Sequence, residues 1–325
     1  MGFLIFLSAL LIVVLAFSLY CYKVCFHSIG KPGSINNFMP KGSQYEPLKE
    51  KMFASAKKME DTPCESVTIS GHKGTKLHGR YYHFDEEAPV MIIFHGYRGI
   101  AFRDCAGGFA LARKIGFNVL AVDQRSHGDS EGHAISFGVL ERHDCLLWAK
   151  YIAERFPQNP IVLCGVSMGA ATVLMASDLP LPDTVVGIMA DCPYDSPMGI
   201  ISKVSCDMGY PKFFAMPLIW LGGRIFAGFN VNGASAINSV SQAKVPILLI
   251  HGEDDHFVPC EMSRNIQCAC PAHAQLHTFP MAGHGLCYLI DPARYEKICI
   301  TFLKNIKPLQ PALEKSEYVR NHFTA

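Results

Sequence analysis

Apolar positions along this chain follow three patterns. From Phe3 to Tyr20 they are almost continuous: FLIFLSALLIVVLAFSLY carries no charged side chain, and Ser8 and Ser18 are its only hydroxyls besides Tyr20. A helix of that length can cross a hydrocarbon core of ~30 Å. From Pro47, PLKEKMFASAKKMED places Leu48, Met52, Phe53, Ala56 and Met59 roughly on one side of a short amphipathic helix, which predicts packing on the domain ahead of the alternative, resting on a membrane surface. Beyond Pro63 the pattern changes to short apolar runs alternating with helical stretches.

SVTIS and KLHGRYYHF, on either side of GHKG at Gly71–Gly74, predict an antiparallel pair of strands at one edge of a sheet. VMIIFHG then precedes a helical run over Ala106–Ile115, NVLAVD precedes Glu141–Phe156, and IVLCG precedes Met168–Ser177. VVGIMAD, VPILLIHG and QLHTF are further strands, and RYEKICITFLKNI reads as a closing helix. Buried β-branched runs separated by helices predict an α/β fold, a mainly parallel sheet covered on both faces. The alternation stops between Cys192 and about Ser241, which reads as a lid inserted over the sheet. The expected organisation is an anchor at 1–22, a linker with the short helix at 23–60, polar and rich in Gly, Pro, Ser and Asn from Ser28 to Gln44, and one domain at 61–325 with its lid at about 192–241.

Charge narrows the reading. The net charge is +1 and the Lys and Arg residues are scattered, so nucleic acid is not an expected partner. No Lys or Arg precedes the first apolar run and no small-x-small site follows it, which favours an uncleaved single-pass anchor over a signal peptide. Lys23, Lys31 and Lys41 follow the run, so the positive-inside tendency predicts the body of the protein in the cytoplasm, with export the alternative because large domains translocate regardless of a few nearby charges. Thirteen cysteines, an odd number without a small-domain framework, agree with a reducing compartment.

The candidate chemistry begins at GVSMG, Gly165–Gly169, set between a strand and a helix. This is the context of a nucleophile elbow, in which Ser167 stands on a sharp turn beside a helix N-terminus. A serine hydroxyl needs a base, and His284 in MAGHG follows the last strand. The base needs a carboxylate, and Asp255 in IHGEDDHFVP lies just past a strand end. Asp254 beside it and Asp191 at the end of VVGIMAD are the competing acids. The backbone N–H groups of Met168 and, in FHGYRG, of Tyr97 would form the oxyanion hole.

FHGYRG, VDQRSHGDSEG, GVSMGA, HGEDDHFVP and AGHG, in this order and spacing, resemble the α/β-hydrolase serine enzymes over most of Pro63–Ile306. The likeness is to membrane-anchored members of the serine aminopeptidase-like and acyl-esterase-like branch. It implies Ser167 as nucleophile, Asp255 as acid, His284 as base, Tyr97 and Met168 as oxyanion donors, and a mostly structural loop over Asp123–Gly132. It implies no cofactor and no metal.

Other residues carry plainer expectations. His95, His251, His127 and His133 are expected to hold loops together, and Cys164 to act as a small buried hydrophobe. Cys268-Ala-Cys270 lacks the second ligand pair of a zinc site. YPKFFAMPLIWLGGRIFAGF, Tyr210–Phe229, is expected to pack as the lid and to line an apolar acyl pocket or touch lipid. Together these features predict a membrane-tethered serine hydrolase acting on a small-molecule or lipid-like carboxylic ester or thioester, with no obligate protein partner. A peptidase or amidase is the alternative, which would need Glu131, Asp195 or Asp207 to face the pocket. A non-catalytic binding protein on the same fold is the third reading.

Overall fold

Among the residues that the computed structural model describes, 1–28, 39–40 and 42–323, the chain opens with α1 (Gly2–Cys25) and α2 (Lys49–Glu60). The linker expected over Ser28–Gln44 falls largely outside the described residues, as do Lys31 and Lys41. An edge pair follows, β1 (Glu65–Ser70) and β2 (Lys76–Tyr82). β3 (Val90–Phe94) leads through α3 (Ala101–Asp104) to α4 (Ala106–Ile115), β4 (Asn118–Asp123) to α5 (Glu141–Arg155), and β5 (Ile161–Val166) to α6 (Met168–Met175). After β6 (Val185–Asp191) come the insertion's α7 (Pro197–Asp207), α8 (Lys212–Ile225) and α9 (Ala236–Val240). β7 (Ile247–Gly252), α10 (Cys260–Ala269), β8 (Ala274–Phe279), α11 (Cys287–Ile290) and α12 (Pro292–Lys304) restore the alternation, and α13 (Gln310–Lys315) and α14 (Glu317–Phe323) follow.

The sheet order is β1-β2-β4-β3-β5-β6-β7-β8. β2 pairs antiparallel with both β1 and β4, and every other neighbour is parallel. Because side chains alternate along a strand, each central strand feeds two cores. Ile92 and Phe94 of β3 join Leu120 and Val122 of β4 on one face, with α5, α6 and the insertion. Met91 and Ile93 join Val119 and Ala121 on the other, with α2, α4 and α12. Both faces are covered, which is why β3, β4 and β7 are buried along their whole lengths.

α2 packs where its apolar face directs: Ala56 and Met59 are buried, and the Tyr82 hydroxyl donates to the Met59 carbonyl at 3.3 Å. One expectation fails. The helix read as closing the chain is followed by α13 and α14, which place Leu313 and Val319 in the second core. At six and seven residues they are too short for apolar periodicity to register.

Among the described residues α1 is the one helix long and apolar enough to cross a membrane. Its outer face is bare, while Ser18 and Tyr22 are buried against α8. A Cβ on Gly222 of α8 would lie 2.5 Å from the Ser18 carbonyl oxygen, so that crossing requires glycine.

Candidate active site

The sheet order sets the C-terminal ends of β3, β5, β6 and β7 side by side, and the site is built from the loops that leave them. After β5 the backbone turns sharply into α6. Ser167 occupies the turn with φ 56° and ψ −116°, a left-handed conformation that costs a non-glycine residue strain. The turn fits only because its flanks are bare: a Cβ on Gly165 would lie 2.2 Å from the Gly169 carbonyl carbon, and one on Gly169 2.0 Å from the Phe94 oxygen. The Ser167 N–H donates to the Asp191 carbonyl at 2.8 Å, fixing the elbow to the end of β6.

The Ser167 hydroxyl donates to His284 Nε2 at 2.9 Å, and His284 Nδ1–H donates to Asp255 Oδ2 at 2.6 Å. A carboxylate only accepts, so the proton between the last pair belongs to Nδ1 and leaves Nε2 to receive the serine's. Asp255 Oδ1 accepts from the N–H groups of Phe257 at 3.0 Å and Val258 at 2.8 Å. Burial alone would push the Asp255 carboxyl up, but hydrogen bonds from His251 and His284 hold it far below the usual carboxylate range. It is therefore an anion held in place beneath the imidazole.

The competing acids are elsewhere. Asp254 is exposed. Asp191 is buried at the end of β6 with Oδ1 lacking any partner among the described residues, and burial pushes its carboxyl up to about 6 despite a hydrogen bond from Tyr295.

The loop after β3 lies beside the serine: a Cβ on Gly96 would sit 3.4 Å from Ser167 Cβ. Its position is held by His95, Gln124 and His127, whose segments the sequence marks only as general scaffold, and by Asp104, which the sequence does not single out. The Gly96 N–H donates to Asp104 Oδ2 at 2.9 Å, and the Arg98 N–H donates to His127 Nε2 at 3.0 Å. His95 Nδ1–H donates to the Gly96 carbonyl at 2.8 Å while its Nε2 accepts from the Gln124 N–H at 3.0 Å. Burial pushes both imidazoles down, His127 to about 3, so each stays neutral with Nδ1 protonated and Nε2 free to accept. His127 and Gln124 come from VDQRSHGDSEG, so the signal was present as a motif without its target. Likewise His251 Nε2–H donates to the Val258 carbonyl at 2.8 Å, steadying the turn that carries Asp255. His133 is exposed, and its carbonyl accepts from the Tyr22 hydroxyl at 3.1 Å.

The same loop is tied to the N-terminal helix. The Tyr97 hydroxyl donates to the Cys25 carbonyl at 2.8 Å and Arg98 Nη2 to the Val24 carbonyl at 2.9 Å, so the free carbonyls of the last turn of α1 find their donors here. Two cavities meet at Ser167. One, of about 500 Å³, is apolar and roofed by α7 and α8; the other, of about 390 Å³, includes Gln44, Tyr45, Arg103 and Asp104. Glu131, Asp195 and Asp207 line neither.

Two clusters of metal-ligand types occur among the described residues. In the first, Cys192 stands near Asp255 and His284, whose facing atoms already bond to each other. In the second, His78, Asp123 and Asp129 surround Arg80, which donates to Asp123 at 2.9 Å and Asp129 at 3.1 Å and supplies the cation itself. Cys268 is exposed, Cys270 and Cys164 are buried, and all are free thiols.

The model of the alpha/beta hydrolase family matches residues 91–298, from β3 to beyond His284. The chain is 23% identical to the uncharacterized protein YqkD of Bacillus subtilis, over 78% of this chain and 83% of that protein. It is 25% identical to the lysophosphatidylserine lipase ABHD12 of Danio rerio, over 56% of this chain and 47% of that protein. The Pyrococcus furiosus esterase Pf2001 superposes with a TM-score of 0.60 at 24% identity, over 77% of this chain and 95% of the other. Sheet order, elbow and family match converge, and the chain belongs to the alpha/beta hydrolase family.

Proposed function

We propose that this hydrolase is a membrane-tethered serine enzyme that cleaves carboxylic esters or thioesters of an apolar acyl group. The observation that carries the reading is the unbroken hydrogen-bonded line from Asp255 through His284 to a strained Ser167. His284 Nε2 takes the serine proton as Oγ attacks the acyl carbon, and the oxyanion faces the N–H groups of Tyr97 and Met168. His284 then gives that proton to the leaving alkoxide or thiolate. Water, deprotonated by the same imidazole, attacks the acyl-enzyme and frees Ser167. Nothing in this sequence of steps calls on a cofactor or metal.

The likeness to an esterase and to a lysophosphatidylserine lipase supports an ester substrate, as does the apolar cavity at Ser167. Placement of residues 1–22 as the anchor, 23–60 as the linker and 61–325 as the hydrolase domain, with the domain in the cytoplasm, belongs to the same proposal; the apolar α1 followed by Lys23 supports it. The peptidase reading is weakened because none of the acids it needs lines the cavities.

Fluorophosphonate labelling of the full-length protein in membranes, with peptide mapping, tests the mechanism. An adduct on Ser167, lost in Ser167→Ala and His284→Ala, is expected, together with faster cleavage of acyl esters than of aminoacyl arylamides. Ester cleavage that persists in Ser167→Ala overturns it.

A further inference from the structure

The apolar cavity is not enclosed by the hydrolase domain alone. Phe17, Tyr20, Cys21, Val24 and Cys25 line it from α1. They follow the i, i+3, i+4, i+7, i+8 spacing of one helix face. The opposite wall comes from α7 and α8, including Ile201, Val204, Phe214, Ala215 and Leu218. Two apolar helix faces would ordinarily close on each other. Here α1 and α8 touch at Ser18 and Gly222, and a space of about 500 Å³, within the ~300–1,000 Å³ range of ligand pockets, remains beside that crossing.

Ser167 sits where this space meets the second cavity, which is mixed in character and carries the polar side chains of Gln44, Tyr45, Arg103 and Asp104. A single molecule with its reacting carbonyl at Ser167 therefore has an apolar trough on one side and a more polar chamber on the other. The rim of the trough is apolar as well: Phe17, Tyr20, Met208, Tyr210 and Phe214 line it and are exposed. That rim continues onto the bare apolar face of α1, so exposed apolar side chains lead from that face to the cavity at Ser167.

Building on the serine-hydrolase reading, we propose that α1 is one wall of the acyl-binding site and that the substrate is a single-chain, long-acyl ester. Its chain lies between α1 and α8, having entered sideways from the membrane, and its polar head occupies the chamber lined by Gln44, Tyr45 and Arg103. The N-terminal helix is thus part of the specificity site and not only a tether.

Filling the trough from either wall separates this idea from the mechanism. Cys21→Trp on α1 and Ala215→Trp on α8, in the full-length detergent-solubilised protein, are each expected to lower the ratio of kcat/KM for nitrophenyl dodecanoate to that for nitrophenyl butyrate by about 10–100-fold. Equal losses on both esters, or no loss on dodecanoate from either variant, overturn the proposal. A second readout needs no turnover: a dodecanoic acid with a terminal diazirine, photolysed with Ser167→Ala protein, should label residues 17–25 and α8. Labelling confined to other segments overturns the proposal. Labelling of both walls, where the wild-type protein cleaves neither ester, keeps the pocket and rejects the hydrolytic mechanism, whereas wild-type ester turnover without that labelling does the reverse.

Discussion

Beneath Ser167, hydrogen bonds made by His95, Gln124 and His127 join the loops leaving β3 and β4, His251 braces the turn after β7, and the carboxylates Asp104 and Asp255 accept from backbone N–H groups. Above Ser167, α1, α7 and α8 offer apolar side chains with few polar contacts, and Phe213, 83% exposed, has scarcely any cover. Floor and roof answer different demands. Proton transfer and oxyanion binding need donors and acceptors fixed in advance, and buried hydrogen bonds fix them well because water does not compete. Recognition of an acyl chain needs apolar surface of the right width, which tolerates sliding and exchange. A rigid base under an adaptable cover follows from these two kinds of chemistry.

The sharpest test lies within the floor, between two buried carboxyls on adjacent strand ends. Asp255→Asn should lower kcat by about 10³–10⁴, since the amide favours the wrong imidazole tautomer, whereas Asp191→Asn should keep kcat within about threefold. The stability of the two variants should diverge as well. The Asp191 carboxyl is raised from its usual 3.8 to about 6, so the folded protein holds more protons than the unfolded chain between those values, and stability falls as pH rises through that window. Above pH 6 the buried carboxylate opposes folding by about 3 kcal/mol. Asp191→Asn should therefore be more stable than the wild type at pH 7.5, and that gain should vanish near pH 4, as read from urea unfolding of the solubilised protein. A loss of kcat in Asp191→Asn as large as in Asp255→Asn would erase the distinction between the two acids.

A smaller effect probes the loop that faces the oxyanion. His127→Phe removes the acceptor of the Arg98 N–H and should lower kcat about 10–100-fold with KM held within about threefold, a pattern that global weakening does not produce. His127→Gln, which restores an acceptor, should recover part of the loss. A kcat that is unchanged in His127→Phe would show the loop to be held by its other contacts.

An exposed roof position outside the cavity should give the least. Phe213→Ser lies outside the cavity lining and should change stability by less than about 0.5 kcal/mol and leave butyrate turnover as it was. A cost comparable to that of a buried residue would mean that the N-terminal turn of α8 is packed as tightly as its Gly222 end, and the contrast with the floor would fail.

Local pattern made much of this legible. The continuous apolar strands, the strand–turn–helix setting of Ser167 and the order of Ser167, Asp255 and His284 are properties of short windows of sequence. Burial on both faces of a strand removes alternation, and a left-handed turn demands glycine flanks, so both leave marks a few residues long. The short α13 and α14 left no such mark.

What the amino-acid order determined by itself is the mainly parallel sheet, the anchor-like first helix and the candidate reacting groups. The tertiary structure alone decided which of Asp191, Asp254 and Asp255 meets His284, which backbone N–H His127 holds, and that α1 folds back to wall the cavity. The reason is physical: those outcomes depend on contacts between segments up to more than a hundred residues apart, where spacing along the chain carries no information about distance. Only the closing of the sheet and the crossing of α1 over Gly222 bring them together.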